Sequence, residues 1–361
     1  MTYHTESAFH GRSAGARAAA LLAVVVATAC GASRPDPVRV AEPAPGPDSV
    51  RLAEVPPLRS DIEPMPLPAP PKPWLPPAVR WSPTGPREGE AVGLRLLQPE
   101  AGREAVDVEG EIDGRPVHFT HVAGGWFGVA AAPIGSAGSA DLELRFLLSP
   151  DSTAVERTTL EIGAREFPAT RLSDAPRFSD PDPEALARIR EERRLVRATL
   201  ARTTEQWLPR GPFRWPRETR ITSPFGQRRL FNGELRSRHT GVDLAGRRGA
   251  PVRAAARGRV ALTEHLYFAG NAVYVDHGLG VFTGYFHLSE IGVEEGDVLR
   301  KGDLVGKVGS TGRVTGPHLH WSLYVNGESL DASSLLHVDV PAADPAAGGS
   351  PSPRDRDPSR R

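Results

Sequence analysis

The sequence predicts a mainly β chain: a small β-sandwich, one linking α-helix and a larger antiparallel-sheet domain. Three observations carry this expectation. Residues 87–165 hold short alternating runs separated by turn residues, residues 180–207 change to a helical period, and residues 211–337 return to glycine-punctuated strands.

The 361 residues carry 44 Lys+Arg against 44 Asp+Glu. A net charge of zero gives no electrostatic footprint for nucleic acid, which is excluded as a partner. A single cysteine, Cys30, excludes an intrachain disulfide framework and any cysteine-cluster metal site. It follows directly on the apolar run "AAALLAVVVATA" at 18–29, with Arg12 and Arg17 upstream. A positive region, an apolar stretch and small residues form an export signal, so 1–29 is expected to be a signal peptide. The run is too short to span a bilayer as a retained helix. "ATA" fits ordinary cleavage, while "VATAC" resembles a bacterial lipobox with Ala27 in place of the usual leucine. Cys30, the only cysteine, stands where lipidation needs it.

Residues 30–86 are dominated by proline, as in "EPMPLPAPPKPWLPP". Fixed φ angles and missing donors favour extended polyproline II over helix or sheet, so a disordered tether is expected. At ~3.1 Å per residue it would reach on the order of 150 Å.

The β-domain is expected at 87–165. "AVDVEGEIDGRPVHF" alternates on either side of Asp113-Gly114, a hairpin turn signal, and "GGWFGVAAAP" and "LELRFLLS" follow at strand length. His118 and His121 lie there without a ligand-spaced partner and read as structural or solvated. Residues 166–210 then form a linker with an amphipathic helix. Leu186, Ile189, Val196 and Leu200 recur near helical spacing, Asp182 is the N-cap candidate, and Pro183 suits the first turn. The run "REERR" reads as its solvated face.

Seven of the 11 histidines fall in 211–337. In "GPHLHW" a strand would project His318 and His320 from one face and Leu319 and Trp321 from the other. Along "HLHWSLYV" Ser322 and Tyr324 share the histidine face. "RHTGVDLAG" offers His239 and Asp243, a neutral nitrogen and an anionic oxygen suited to Zn²⁺. "VFTGYFHL" alternates Thr283, Tyr285 and His287 against Phe282, Phe286 and Leu288. His277 reads as structural and His265 is unassigned. Phe225 is expected in the core, Arg228 at a groove or in an ion pair, and Asn232 near the metal. "EEGDVLRKGDLVGKVG" reads as a scaffold hairpin, with Lys301 and Lys307 in no modification motif.

"SPFGQR", "RHTGVDLAG", "GYFHL" and "GSTGRVTGPHLHW", in this order, resemble the lysostaphin-type, LytM-like zinc metallopeptidases of bacterial peptidoglycan. The resemblance spans 211–336. It implies an antiparallel-sheet LytM-like fold and one zinc ion per domain. It also implies hydrolysis of peptide cross-links by metal-activated water. The upstream β-domain resembles the immunoglobulin-like module carried by part of that family. Residue by residue, His239, Asp243 and His320 match the zinc ligands, and His287 and His318 match the two unliganded catalytic histidines. The family also contains non-catalytic regulators of other hydrolases that lack some ligands, whereas all five positions are occupied here. Implied partners are peptidoglycan and, through Cys30, a membrane, with any regulatory protein partner left unassigned. The implied location is the cell envelope, facing the periplasm or wall. Residues 338–361, rich in Pro, Gly and Ser, are expected to be a disordered tail.

Overall fold

The structure, a computed structural model, describes residues 72–172, 181–231 and 234–341, all within one compact unit running from residue 68. The signal at 1–29, Cys30, most of the tether, Asn232 and most of the tail lie outside the described residues.

Seven strands come first: β1 (Ala78–Ser82), β2 (Glu90–Leu97), β3 (Asp107–Ile112), β4 (Arg115–Val122), β5 (Gly125–Ala132), β6 (Gly138–Ser149) and β7 (Ser152–Ile162). All pairings are antiparallel, in the order β1-β2-β5-β4-β3-β6-β7. β4 is the corner of this path: residues 115–118 hydrogen-bond to β3, and 119–122 to β5. One strand serving two layers folds the path into a sandwich. Leu94, Leu96, Ile112, Leu144, Phe146 and Leu160 fill its interior. Asp113 (φ 47°) and Gly114 (φ 73°) form the turn between β3 and β4, as their sequence predicts.

The sandwich begins earlier than its predicted boundary. β1 lies inside the stretch expected to be tether, because Trp81 and Val79 have an apolar core to cover and Trp74 packs on Phe146 with ring centroids 4.9 Å apart. Proline density alone does not show where apolar anchors start.

β8 (Ala169–Leu172) and α1 (Pro183–Leu200) follow. The Asp182 carboxylate accepts from Ala185 N at 2.8 Å, capping the helix as expected. Ile189 and Leu200 are buried, while Leu186 is 41% exposed and leaves the expected apolar face. Nor is "REERR" wholly solvated. Glu192 pairs with Arg188 at 2.6 Å and accepts from Tyr267 N at 2.8 Å, tying α1 to the sheet beneath it.

The rest of the chain forms β9 (Ile221–Ser223), β10 (Arg228–Phe231), β11 (Glu234–Arg238), β12 (Val242–Ala245), β13 (Pro251–Arg253) and β14 (Gly258–Leu266). Then come β15 (Gly270–Asp276), β16 (Val281–Ile291), β17 (Val298–Leu299), β18 (Leu304–Val308), β19 (His318–Val325), β20 (Glu328–Leu330) and a 3-10 helix (Ala332–His337). The main sheet runs β17-β14-β15-β16-β19-β12-β9. β8 joins β10 and β11 in a separate three-stranded sheet and lies parallel to β10. β17 and β18 do not form the expected hairpin. β17 pairs with β14, and β18 pairs with β13 and β16, because each Gly-Asp turn sends its strand to a different partner.

One face of the main sheet, with Leu319, Trp321, Leu323 and Tyr285, merges with Ala91, Phe127 and Ala131 from the outer face of β2 and β5. The other face carries Tyr274, Phe282 and Phe286 beside Leu200 of α1. The expected tail also starts later than 338. Val338 and Val340 are buried in the shared core, and Asp339 N donates to Ser82 Oγ at 2.8 Å.

Candidate functional site

Strand β19 supplies the frame. Leu319, Trp321 and Leu323 are fully buried on its core face, so His318 and His320 project from the other, as the two-residue period requires. The antiparallel register of β12 sets Asp243 directly opposite His320. On the other side Phe286 of β16 pairs with His320 and stacks on its ring, with centroids 5.5 Å apart and planes 15° apart. His239 leaves the end of β11 and enters the same spot. Gly241 makes this possible: a Cβ there would sit 2.5 Å from His320 Nε2 and 2.6 Å from Trp321 O.

His239 Nε2 lies 3.0 Å from Asp243 Oδ1 and 3.0 Å from His320 Nδ1, and that nitrogen is 2.9 Å from the same oxygen. All three residues are buried. The outer nitrogens decide what these inner atoms are. His239 Nδ1 is 2.9 Å from Pro224 O, a carbonyl that only accepts, so Nδ1 carries the proton and Nε2 presents a lone pair. Ser322 donates its hydroxyl to Thr240 O at 3.3 Å and therefore accepts from His320 Nε2 at 2.8 Å. His320 Nδ1 is thus a lone pair as well.

Three buried acceptors facing one another repel unless a cation sits among them. Two imidazole nitrogens and a carboxylate oxygen are a donor set suited to zinc, and their fixed outer hydrogen bonds are what such ligands need.

His287 and His318 stand beside this cluster with ring centroids 5.0 Å apart. His318 Nδ1 donates to Gly316 O at 2.8 Å, and its Nε2 lies 3.5 Å from Asp243 Oδ1. His287 Nδ1 donates to Thr311 O at 2.9 Å. Each therefore keeps one nitrogen free as a lone pair. Burial, then the neighbouring His320 and His318, push His287 down to about 3, so its ring is neutral.

The position of His287 contradicts the alternation expected along β16. Tyr285 and Leu288 both lie in the Trp321 core, whereas Phe286 lies on the His320 face and His287 faces His318 and His320. Strict alternation would have sent His287 into the core with Tyr285. Against β15 the register shifts between Asn271 and Val273, and His287 adopts φ 64°, so a bulge places two successive side chains on one face.

His277 is fully buried, with Nδ1 on Arg257 O at 2.9 Å and Nε2 on Thr283 Oγ1 at 2.8 Å, a core residue as its turn position suggests. His265 is exposed and pairs with Asn271. Phe225 is buried. Arg228 is exposed on β10. A cleft of 740 Å³ on the upstream sandwich includes His118 and His121 and none of the clustered histidines. Sequence reasoning placed Ser322 on the right face but missed its task, and it missed Thr311, Gly241 and Ser223. Ser223 Oγ lies 3.2 Å from His239 Nδ1 and bonds Gln227, which reaches Thr170 of β8 at 2.8 Å.

Residues 237–332 match Peptidase family M23. Over 134 residues the chain is 45% identical to "DD-carboxypeptidase/endopeptidase Mpg" of Neisseria meningitidis, covering 36% of this chain and 30% of that protein. Over 125 residues it is 41% identical to "Peptidoglycan DD-endopeptidase ShyA" of Vibrio cholerae, covering 34% of this chain and 28% of that protein. It thus spans under a third of these relatives' length. The crystal structure of a Pseudomonas aeruginosa protein assigned to peptidase M23 matches 70% of this chain and 95% of its own at 28% identity, with a TM-score of 0.54. That match extends beyond the 237–332 segment. Fold, motif order and sequence identity agree that residues 237–332 form a domain of the Peptidase family M23 type.

Proposed function

We propose that the chain is a zinc-dependent endopeptidase that hydrolyses peptide cross-links of bacterial peptidoglycan. The observation that carries this reading is the buried triangle of His239, Asp243 and His320, all acceptors, beside two further histidines with free nitrogens. His239, Asp243 and His320 would hold the metal. Zinc supplies Lewis acidity toward a peptide carbonyl and brings the pKa of water to about 7.

His287 and His318 divide the proton work. One accepts the proton of the attacking water through its bare Nε2, and the other, carrying a proton on Nε2 for the purpose, steadies the developing oxyanion or protonates the leaving amine. Their main-chain partners, Thr311 O and Gly316 O, hold both Nδ1 protons, so each ring works through Nε2. Peptidoglycan as the substrate is supported by the names of the relatives. With it goes a location outside the cytoplasm, on a lipid anchor at Cys30, supported by the apolar run and small residues before that cysteine. Among the described residues no helix is long and apolar enough to cross a membrane.

The test is the zinc content of the purified chain, wild type against His239→Ala, combined with mass spectrometry of muropeptides released from sacculi. One zinc per wild-type chain, none in His239→Ala, and fragments released only by the former are expected. A metal-free wild type that digests no peptidoglycan sinks the proposal.

A further inference from the structure

Residues 309–317 join β18 to β19 and form one wall of the histidine cluster. Thr311 O accepts from His287 Nδ1 at 2.9 Å, and the Thr311 hydroxyl donates to Leu288 O at 2.9 Å. Two residues on, Arg313 N donates to Phe268 O at 2.9 Å, and its guanidinium lies over the Phe268 ring, 4.6 Å from the centroid. Beside Phe268, Ala269 O accepts from His287 N at 2.9 Å. The two loops that fix His287 therefore also fix the charge of Arg313.

Stacking occupies one face of a guanidinium and leaves its edge of N–H donors free. Among the described residues no carboxylate pairs with Arg313 or with Arg229 of β10. The two side chains are close enough that, after burial, the positive charge of Arg229 is the next influence lowering the proton affinity of Arg313. Two cations near each other, without an acid, on the loops beside the histidine cluster offer a site to an anionic ligand, and a planar fork of donors fits a carboxylate.

We infer that Arg313, assisted by Arg229, binds a free carboxylate of the substrate next to the scissile bond, on the leaving-amine side. This rests on the peptidase reading above. The inference takes His287 as the histidine that hands a proton to the leaving amine, and Arg313 is anchored to the loops that hold that ring. A substrate whose leaving residue carries a carboxylate on the carbon bearing that amine would satisfy both arginines. A glycine bridge presents a neutral amide at that position and would leave them unpaired. Arg313 is thus a specificity residue, and no proton passes through it.

The test uses the full zinc-loaded chain and two synthetic cross-linked peptides that differ only in a carboxylate or a carboxamide on the leaving residue. Wild type should favour the carboxylate by about 10- to 100-fold in kcat/KM. Arg313→Gln should lose that preference with zinc content and melting temperature unchanged, Arg313→Lys should keep part of it, and Arg229→Gln should lose less. Equal cleavage of both peptides by wild type, or an undiminished preference in Arg313→Gln, overturns the inference and leaves the peptidase reading standing. A wild type that binds zinc and cleaves neither these peptides nor sacculi overturns both.

Discussion

His318 and His320 share a strand face but not a set of neighbours. His320 Nδ1 is 2.9 Å from Asp243 Oδ1 and 3.0 Å from His239 Nε2, while His318 Nε2 stops 3.5 Å from that carboxylate and its ring lies nearer His287. Loss of His320 removes one corner of the triangle, whereas loss of His318 leaves all three corners in place. His320→Ala is therefore expected to purify without zinc. His318→Ala and His287→Ala should retain it and lose about 10²- to 10⁴-fold in kcat. Elemental analysis beside a muropeptide assay checks this, and a metal-free His318→Ala would show that the division of the pair is wrong. The facing of the two imidazoles was legible in the sequence because strand alternation is a local rule. That Asp243 meets His320 was not, since it depends on the β12–β19 register, and only the motif resemblance supplied it. Ser322 and Pro224 set the ring tautomers through contacts 82 and 15 residues apart in sequence, which no local pattern signals.

At the scale of the element, β16 shows where periodicity stops being a guide. An alternating pattern predicts a strand correctly and then puts His287 on the wrong face. The bulge that reverses His287 depends on the hairpin at Tyr267–Gly270 and on the 309–317 loop, which grip it from Ala269 O and Thr311 O. These two loops touch closely at Gly312, whose φ is +74° and whose added Cβ would lie 2.4 Å from Gly270 N and 2.5 Å from Phe268 O. Backbone on both sides leaves nothing able to swing away. Gly312→Ala is expected to cost about 1–3 kcal/mol in stability and to pull Thr311 O away from His287. Zinc content should stay at wild type, because no ligand is on that loop, while kcat falls by about tenfold or more. Full kcat in a destabilised Gly312→Ala would show that this loop does not hold the ring.

In the whole molecule the shared core sets the unit of folding. Every residue of β5 is buried, since one face lines the sandwich interior and the other meets the sheet that carries the histidines. Phe127 meets Trp207 edge-on at 5.1 Å, and Trp207 in turn packs on Phe213 at 6.1 Å, so linker, sandwich and histidine-bearing sheet close around one aromatic group. Polar contacts follow the same seam: Ala91 N donates to Ser334 Oγ at 2.9 Å, and Arg165 pairs with Asp331 at 2.8 Å. Composition suggested two domains joined by a linker, and such domains would melt separately. A continuous apolar core predicts instead that the described region unfolds in one calorimetric transition. Truncating Phe127 to Ala should lower that whole transition, by about 3–5 kcal/mol, although Phe127 belongs to a strand of the sandwich. Residues 211–337 expressed alone would expose the face that Phe127, Val129 and Ala131 cover, and should melt well below the longer chain with both forms zinc-loaded. If the short piece melted at the same temperature, or if Phe127→Ala split the transition and left its upper half unmoved, the sandwich would be a passenger and the shared core would not couple it to the metal-site sheet.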